Sequence, residues 1–168
     1  ARHLTKSTVG IIPGNRALSE RPLPVNLAVS LHAARDTLRD ELVPINKRYP
    51  IADLMAACTD YLNKKNRRIS FEWAMIEGVN DQPRDARELA RLCTRLIPSA
   101  HVNLIPLNPT PGWSTKGTSP DGVREFARQL EELRVNVTIR RNRGTDIDAA
   151  CGQLAAGQPV AITARKSI

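Results

Sequence analysis

Residues that could do covalent chemistry are found in a segment near the carboxyl end, GTDIDAACGQ (144–153). The segment follows the last strand-like pattern, has glycine on both sides of Cys151 and shows no clean apolar period. A cysteine thiolate is a nucleophile, so a cysteine in such a setting could form a covalent bond with a substrate. The alternative, a packed and inert Cys151, stays open at this point.

The other two cysteines, Cys58 and Cys93, recur at helical spacing with apolar neighbours, which is typical of small core residues. All three cysteines lie far apart and form no CxxC pair. A disulfide framework, a zinc knuckle and a three-cysteine iron-sulfur motif are therefore not predicted, and we expect no metal ligands in this chain. This cysteine usage favours a reducing, cytoplasmic setting.

Five runs rich in apolar or β-branched residues predict the strands that position these residues, at 5–12, 25–32, 68–76, 102–108 and 135–141. Apolar residues at helical spacing predict helices over 51–62, 86–97 and 119–134. Strands that alternate with helices favour an α/β fold, with a parallel sheet covered on both faces. The length of 168 residues indicates one domain.

Polar residues mark the ends of several predicted strands, where parallel sheets bind their ligands. Ser30 and His32 share one face of the second strand, Asn108 closes the fourth, and Ser7 lies in the first. Glu72 lies inside the third. Each has an ordinary alternative: satisfying nearby backbone groups, opening a turn or, for Glu72, pairing with an arginine.

The charge of the chain indicates its partner class. Lysine and arginine total 25 against 17 acids, which gives a net charge of +8. Such a charge attracts polyanions, and nucleic acid is the leading candidate among them. Basic clusters lie at 64–68 (KKNRR) and 140–143 (RRNR). An aromatic content of 4% disfavours a base-stacking platform, and no apolar run is long enough to predict a membrane span.

The chain resembles one family in a series of segments, taken in order: STVGIIPG, VNLAVSLHA, LVPINKRYP, FEWAMIEGVND, VNLIPLNP and RRNRGTDIDAACGQL. The chain resembles the radical S-adenosylmethionine (SAM) methyltransferases that modify C2 of an adenine in 23S rRNA and, in some members, in tRNA. The resemblance runs from about Ser7 to Ala155 and implies the C-terminal portion of a partial (β/α)6 barrel. Residues 1–155 would supply its last four barrel strands, an extra strand and the methyl-carrier segment, and 156–168 a tail.

The resemblance also implies a mechanism and a set of residues. Cys151 matches a cysteine that takes a methyl group from one SAM. A second SAM, on a [4Fe-4S] cluster, yields a 5'-deoxyadenosyl radical that activates that methyl group for addition to adenine C2. The positions that match SAM contacts are Ser7, Ser30, Leu31, His32 and Asn108. The RRNR run lies close before the Cys151 segment, so Arg140, Arg141 and Arg143 are, as a hypothesis, contacts for RNA phosphates.

The chain departs from the family in lacking the CxxxCxxC cluster motif, the resolving cysteine and the Gly-Glu-Pro type motif. We expect these upstream of Ala1, the chain alone to be inactive, and the edge of its first strand to favour self-association. Two alternatives stay open. One is the paralogue that methylates adenine C8, and the other is a non-catalytic RNA-binding module built on the same scaffold.

Overall fold

The computed structural model describes residues 4–20, 22, 24–96, 100–109, 112 and 114–140. Its described strands form one parallel sheet in the order β1-β2-β3-β4-β5, so that each strand pairs with the next one along the chain. The strands are β1 (Leu4–Thr8), β2 (Val25–Ser30), β3 (Ile69–Met75), β4 (Ala100–Pro106) and β5 (Asn136–Ile139). This confirms the predicted α/β fold and places β1 at one edge of the sheet.

Helices occupy every connection between these strands. They are α1 (Ile12–Glu20), α2 (Asp36–Leu42), a short 3-10 helix (Pro44–Lys47), α3 (Ile51–Lys65), α4 (Pro83–Thr94) and α5 (Pro120–Glu132). The three predicted helices are confirmed as α3, α4 and α5, whereas α1 and α2 were not predicted. The predicted first strand over 5–12 was too long. It ends at Thr8 because Gly10 turns the backbone with a φ of 99° and Pro13 lacks the N–H that a strand would need.

Local signals in the sequence explain where several helices begin and end. Gln82 and Asp85 form a capping box at the start of α4. At the start of α5, the Ser119 hydroxyl accepts a hydrogen bond from the Gly122 amide at 3.1 Å. Helix α3 ends at Asn66, whose φ of 47° is the left-handed conformation that stops a helix.

One face of the sheet is apolar and buried beneath α3, α4 and α5. Trp73 of β3 lies at its centre and stacks on Phe126 of α5 with ring centroids 6.0 Å apart. The strand residues of this core alternate along β2, β3 and β4: Leu27, Val29, Ile69, Phe71, Trp73, Met75, Val102 and Leu104. Leu31, directly after β2, belongs to the same core. Burial of these side chains is the main stabilising contribution to the fold.

The opposite face, which we call the polar face, carries serine, glutamate, asparagine, histidine and threonine side chains. One row across it consists of Ser30, Glu72, Asn103 and Thr138, which are Cα partners on neighbouring strands. All four are half-buried or exposed, and none belongs to the core beneath the described helices. The prediction that both faces are covered was therefore wrong for the described residues. In the described part of the chain the helices cover one face of the sheet, which agrees with part of a barrel.

Candidate ligand-binding site at the carboxyl ends of the strands

The chain leaves the sheet sharply after β2. The strand ends at Ser30, and the amides of Leu31 and His32 both donate to the Glu72 carbonyl oxygen of β3, at 3.0 and 3.4 Å. His32 adopts a left-handed backbone conformation with a φ of 60°, which is uncommon outside glycine. The Leu31 side chain points into the core, while Ser30 is half-buried on the polar face.

The imidazole of His32 is fixed and neutral. Its Nδ1 accepts a hydrogen bond from the Ala74 amide at 2.9 Å. Burial, helped by the nearby Arg39 charge, lowers the pKa of His32 to about 4. A neutral ring whose Nδ1 is an acceptor carries its proton on Nε2, so His32 can offer a hydrogen-bond donor to a ligand.

A fully buried arginine, Arg39 of α2, holds the ends of β1 and β2. Its Nε donates to the Leu31 carbonyl at 3.1 Å, and its Nη2 donates to the carbonyls of Val9 at 2.9 Å and Ser30 at 3.1 Å. Burial lowers the pKa of Arg39 to about 10, which still leaves it charged at neutral pH. One guanidinium thus fixes three backbone carbonyls at the ends of β1 and β2.

Asn46 links this arginine to two carboxylates. Its Oδ1 accepts from Arg39 Nη1 at 2.8 Å, and its Nδ2 donates to Asp36 at 2.9 Å and Asp40 at 2.7 Å. Asp36 also accepts from the Ile51 amide at 2.9 Å, at the first residue of α3. The network therefore ties the strand ends to α2 and α3 and places acidic groups near a buried cation.

Asn80, also fully buried, joins the ends of β2 and β3. Its Nδ2 donates to the carbonyls of His32 at 2.8 Å and Ala74 at 2.7 Å. Its Oδ1 accepts from the Ile76 amide at 2.9 Å. Sequence reasoning assigned no role to Asn80 or Arg39. The available signal for Asn80 was an asparagine in a turn-forming stretch, EGVND, directly after a strand.

Polar side chains below these strand ends contact one another across the polar face. Asn103 Nδ2 donates to Glu72 Oε1 at 2.8 Å, and His101 Nε2 lies 2.9 Å from the Thr138 hydroxyl. Arg140 Nη1 lies 3.8 Å from Glu72 Oε2, so Glu72 does pair with an arginine. The polar face therefore brings hydrogen-bonding groups of three neighbouring strands together.

The structure brings some of the predicted site residues together and not others. Ser30, Leu31 and His32 are consecutive at the end of β2. Ser7 is exposed on the same face of the adjacent strand, with Ala28 as its Cα partner. Asn108 is exposed two residues after the end of β4, because that strand stops at Pro106 and not at the predicted residue 108.

Three other predicted residues, Cys151, Arg141 and Arg143, lie outside the described residues. Their neighbour Arg140 directly follows β5, and its side chain is 60% exposed. This exposure leaves the guanidinium accessible even though it pairs with Glu72.

The two described cysteines lie in the core. Cys58 of α3 is fully buried and Cys93 of α4 nearly so, and burial raises the pKa of both thiols to about 12. Among the residues that the structure describes, no group of three histidine, cysteine or acidic side chains could hold a metal ion. These residues therefore do not fit an iron-sulfur cluster. None of the described helices has the length and apolar character needed to cross a membrane.

Comparison with solved structures gives the class of protein. A radical SAM methyltransferase from Sphaerobacter thermophilus matches with a TM-score of 0.80 and 48% identity, over 90% of this chain and 44% of that one. A domain of pyruvate-formate lyase-activating enzyme from Bacteroides vulgatus shares the fold, with a TM-score of 0.64 and 15% identity over 83% of this chain and 81% of that one. The fold is therefore that of a radical SAM methyltransferase α/β domain.

Curated relatives identify the family within that class. The chain is 54% identical over 160 residues to a probable dual-specificity RNA methyltransferase RlmN from Parafrankia sp., over 95% of this chain and 41% of the relative. It is 52% identical over 153 residues to the protein of the same name from Pelotomaculum thermopropionicum, over 91% of this chain and 41% of that relative. No family model matches the chain. Over more than nine tenths of its length the chain is thus homologous to RlmN RNA methyltransferases, and it spans about two fifths of their length.

Proposed function

We propose that this chain is the C-terminal part of a radical SAM methyltransferase that transfers a methyl group to C2 of an adenine in 23S rRNA, with tRNA as a second substrate. The observation that carries this proposal is the identity of about half of all residues, over nearly the whole chain, to relatives named dual-specificity RNA methyltransferases. Residues 1–155 would belong to the catalytic domain, and 156–168 would form a tail.

Cys151 is the proposed methyl carrier. The burial of Cys58 and Cys93 supports this choice, because a thiol inside the core with a raised pKa is neither accessible nor ionised at neutral pH. Cys151 is the remaining cysteine of the sequence. As a thiolate it would take the methyl group of SAM by displacement at carbon, forming an S–CH3 bond on Cys151 while S-adenosylhomocysteine leaves.

The proposed SAM contacts are Ser7, Ser30, Leu31, His32 and Asn108. The hydroxyl of Ser30 and the Nε2–H of neutral His32 would bind polar groups of the ligand on the polar face. The hydrogen-bonding groups of the Leu31 backbone are already used, because its amide donates to Glu72 and its carbonyl accepts from both Arg39 and the Ala33 amide. Its contact with the ligand would therefore be a van der Waals contact of the backbone. When bound, SAM supplies the methyl group and, with a [4Fe-4S] cluster, the radical chemistry.

The cluster would need cysteines that this sequence does not supply, since Cys58 and Cys93 are buried on separate helices. We therefore expect the 168-residue chain to be inactive by itself. RNA binding is supported by the net charge of +8, and Arg140, Arg141 and Arg143 are the proposed phosphate contacts.

The test of Cys151 uses the full-length protein, produced with and without methionine that carries an isotopically labelled methyl group. The mass of the Cys151 peptide should increase by one labelled methyl. The peptides that contain Cys58 and Cys93 in the same digest serve as matched controls and should stay unmodified. An unmodified Cys151 in protein that holds its cluster and SAM would remove the carrier assignment and favour an RNA-binding module.

The position of methylation is tested separately. Mass spectrometry of nucleosides from RNA treated with the full-length enzyme should give 2-methyladenosine. If 8-methyladenosine were the only product, the chain would belong to the C8 paralogue.

A further inference from the structure

Glu72 occupies the middle of the polar face. It lies on β3 between two polar Cα partners, Ser30 of β2 and Asn103 of β4. Its side chain is 14% exposed, so the carboxylate is largely withdrawn from solvent although none of the described helices packs on this face. A charged group in this position must be compensated by nearby donors or cations.

The two oxygens of this carboxylate differ. Oε1 accepts a hydrogen bond from Asn103 Nδ2 at 2.8 Å, which fixes the plane of the carboxylate. Oε2 is buried and has no hydrogen-bond donor among the described residues. Arg140 Nη1 is 3.8 Å away, close enough to balance the charge and too far to donate a hydrogen bond. A buried oxygen without a donor lowers folding stability, and a bound ligand could supply the donor that this oxygen lacks.

We propose that Glu72 is a further ligand-binding residue, whose Oε2 accepts a hydrogen bond from a neutral donor of an adenosine group. Because Arg140 already balances the charge, a hydroxyl or an amine fits better than a second cation. Adenosine offers both, in its ribose hydroxyls and its exocyclic amine, and carboxylates bind ribose hydroxyls in dinucleotide sites. The inference rests on the proposed function, which supplies two sources of adenosine: SAM and the target nucleotide of the RNA.

The test compares wild-type full-length protein with Glu72→Gln. Glutamine preserves the size of the side chain and can still accept from Asn103. Its NH2 group, however, would take the place of Oε2, so that the donor of the ligand would face another donor. We expect the affinity for S-adenosylhomocysteine, measured by calorimetry, to fall by roughly tenfold or more if SAM is the source. If the RNA is the source, that affinity holds. Affinity then falls for an RNA fragment with the target adenosine, whereas affinity for a fragment that lacks the whole target nucleotide is unchanged.

Thermal unfolding of the same variant separates binding from a structural role. Removing a charge whose Oε2 has no donor should leave the unfolding midpoint unchanged or raise it. Glu77→Gln is the matched control, since Glu77 is an exposed carboxylate that pairs with Lys116 at 2.8 Å. Its effect on either affinity should stay below about twofold.

Two results would overturn the proposal. One is unchanged affinity for both ligands, and the other is a loss of affinity together with a lower unfolding midpoint, which a distorted sheet would explain. Neither readout requires methyl transfer, so a failure of the Cys151 experiment and a failure of this one are distinguishable.

Discussion

Replacing Asn80 with alanine should destabilise the chain more than most single substitutions. The change removes three hydrogen bonds of 2.7–2.9 Å and leaves the Ile76 amide and the carbonyls of His32 and Ala74 without their partner. Each such bond contributes about 1 kcal/mol, and each orphaned buried group costs about 1–3 kcal/mol. Three orphaned groups at the low end of that range lead us to expect Asn80→Ala to lower the free energy of unfolding by at least about 3 kcal/mol, a large share of the roughly 5–15 kcal/mol typical of a domain.

Asn80→Asp tests the direction of these bonds. Aspartate can still accept from Ile76, but its second oxygen faces the carbonyls of His32 and Ala74 and can donate only when it is protonated. The pKa of this carboxyl should therefore be raised in the folded state, so that its contribution to stability is present at low pH and lost as pH rises through that pKa. The deficit of Asn80→Asp relative to wild type should be larger at pH 7 than at pH 5.

Urea unfolding of the 168-residue chain, followed by tryptophan fluorescence, measures both variants. Trp73 is a suitable reporter because it is buried and its Nε1 donates to the Asn80 carbonyl at 3.2 Å. Asn63→Ala, at an exposed position of α3, is the matched control and should change stability by no more than about 0.5 kcal/mol. The reasoning is refuted if Asn80→Ala falls within about 1 kcal/mol of wild type, or if the Asn80→Asp deficit does not change with pH.

Three further predictions concern single groups. Cys58 and Cys93 should resist a thiol reagent at pH 8 in the native chain and react in urea, because burial raises the pKa of both thiols to about 12. Fast labelling of either cysteine in the native chain, seen by peptide mapping, would contradict this. The pKa of His32 is 6.5 in the unfolded chain and about 4 in the folded one, so the unfolded state binds more protons between these two pH values. The free energy of unfolding should therefore fall by about 3 kcal/mol as pH drops from 6.5 to 4. Asparagine can accept from the Ala74 amide and tolerates a positive φ, so the free energy of unfolding of His32→Asn should fall less over the same pH range. Urea titrations at each pH measure this, and an equal fall would exclude His32 as the cause. Ser119→Ala should cost about 1 kcal/mol in urea unfolding, and Ser119→Asp should restore most of it if the cap at Gly122 is the reason.

Much of the fold could be predicted because its signals are local. The runs that form β2 to β5 contain apolar residues at every second position, and α3 to α5 carry apolar residues at helical spacing. Helix α1 was missed because its sequence, IPGNRALSE, contains a glycine and a proline and has few apolar residues. The predicted cover on both faces was wrong for the described residues because β3 carries the polar residues Ser70 and Glu72 on one of its two faces.

The candidate site was predictable only in part. Ser30 and His32 come at the end of an apolar run, and the carboxyl ends of parallel strands lie at the same edge of a sheet, so their position could be predicted. The roles of Arg39 and Asn80 do not follow from it, because a buried polar residue is recognised by the backbone groups that it meets in three dimensions. Arg39 resembled an ordinary basic residue of a helix, yet it binds three carbonyls at the ends of two strands.

The strand order of the sheet, which follows the chain order, has a consequence for synthesis. Each strand after β1 can pair, as soon as it is made, with the strand made just before it, so only the edge of the newest strand awaits a later partner. Such a sheet grows in one direction, one strand and helix at a time. It can also gain or lose units at either edge during evolution without exchanging the partners of the strands between, and this makes it suited to assembly from repeated βα units.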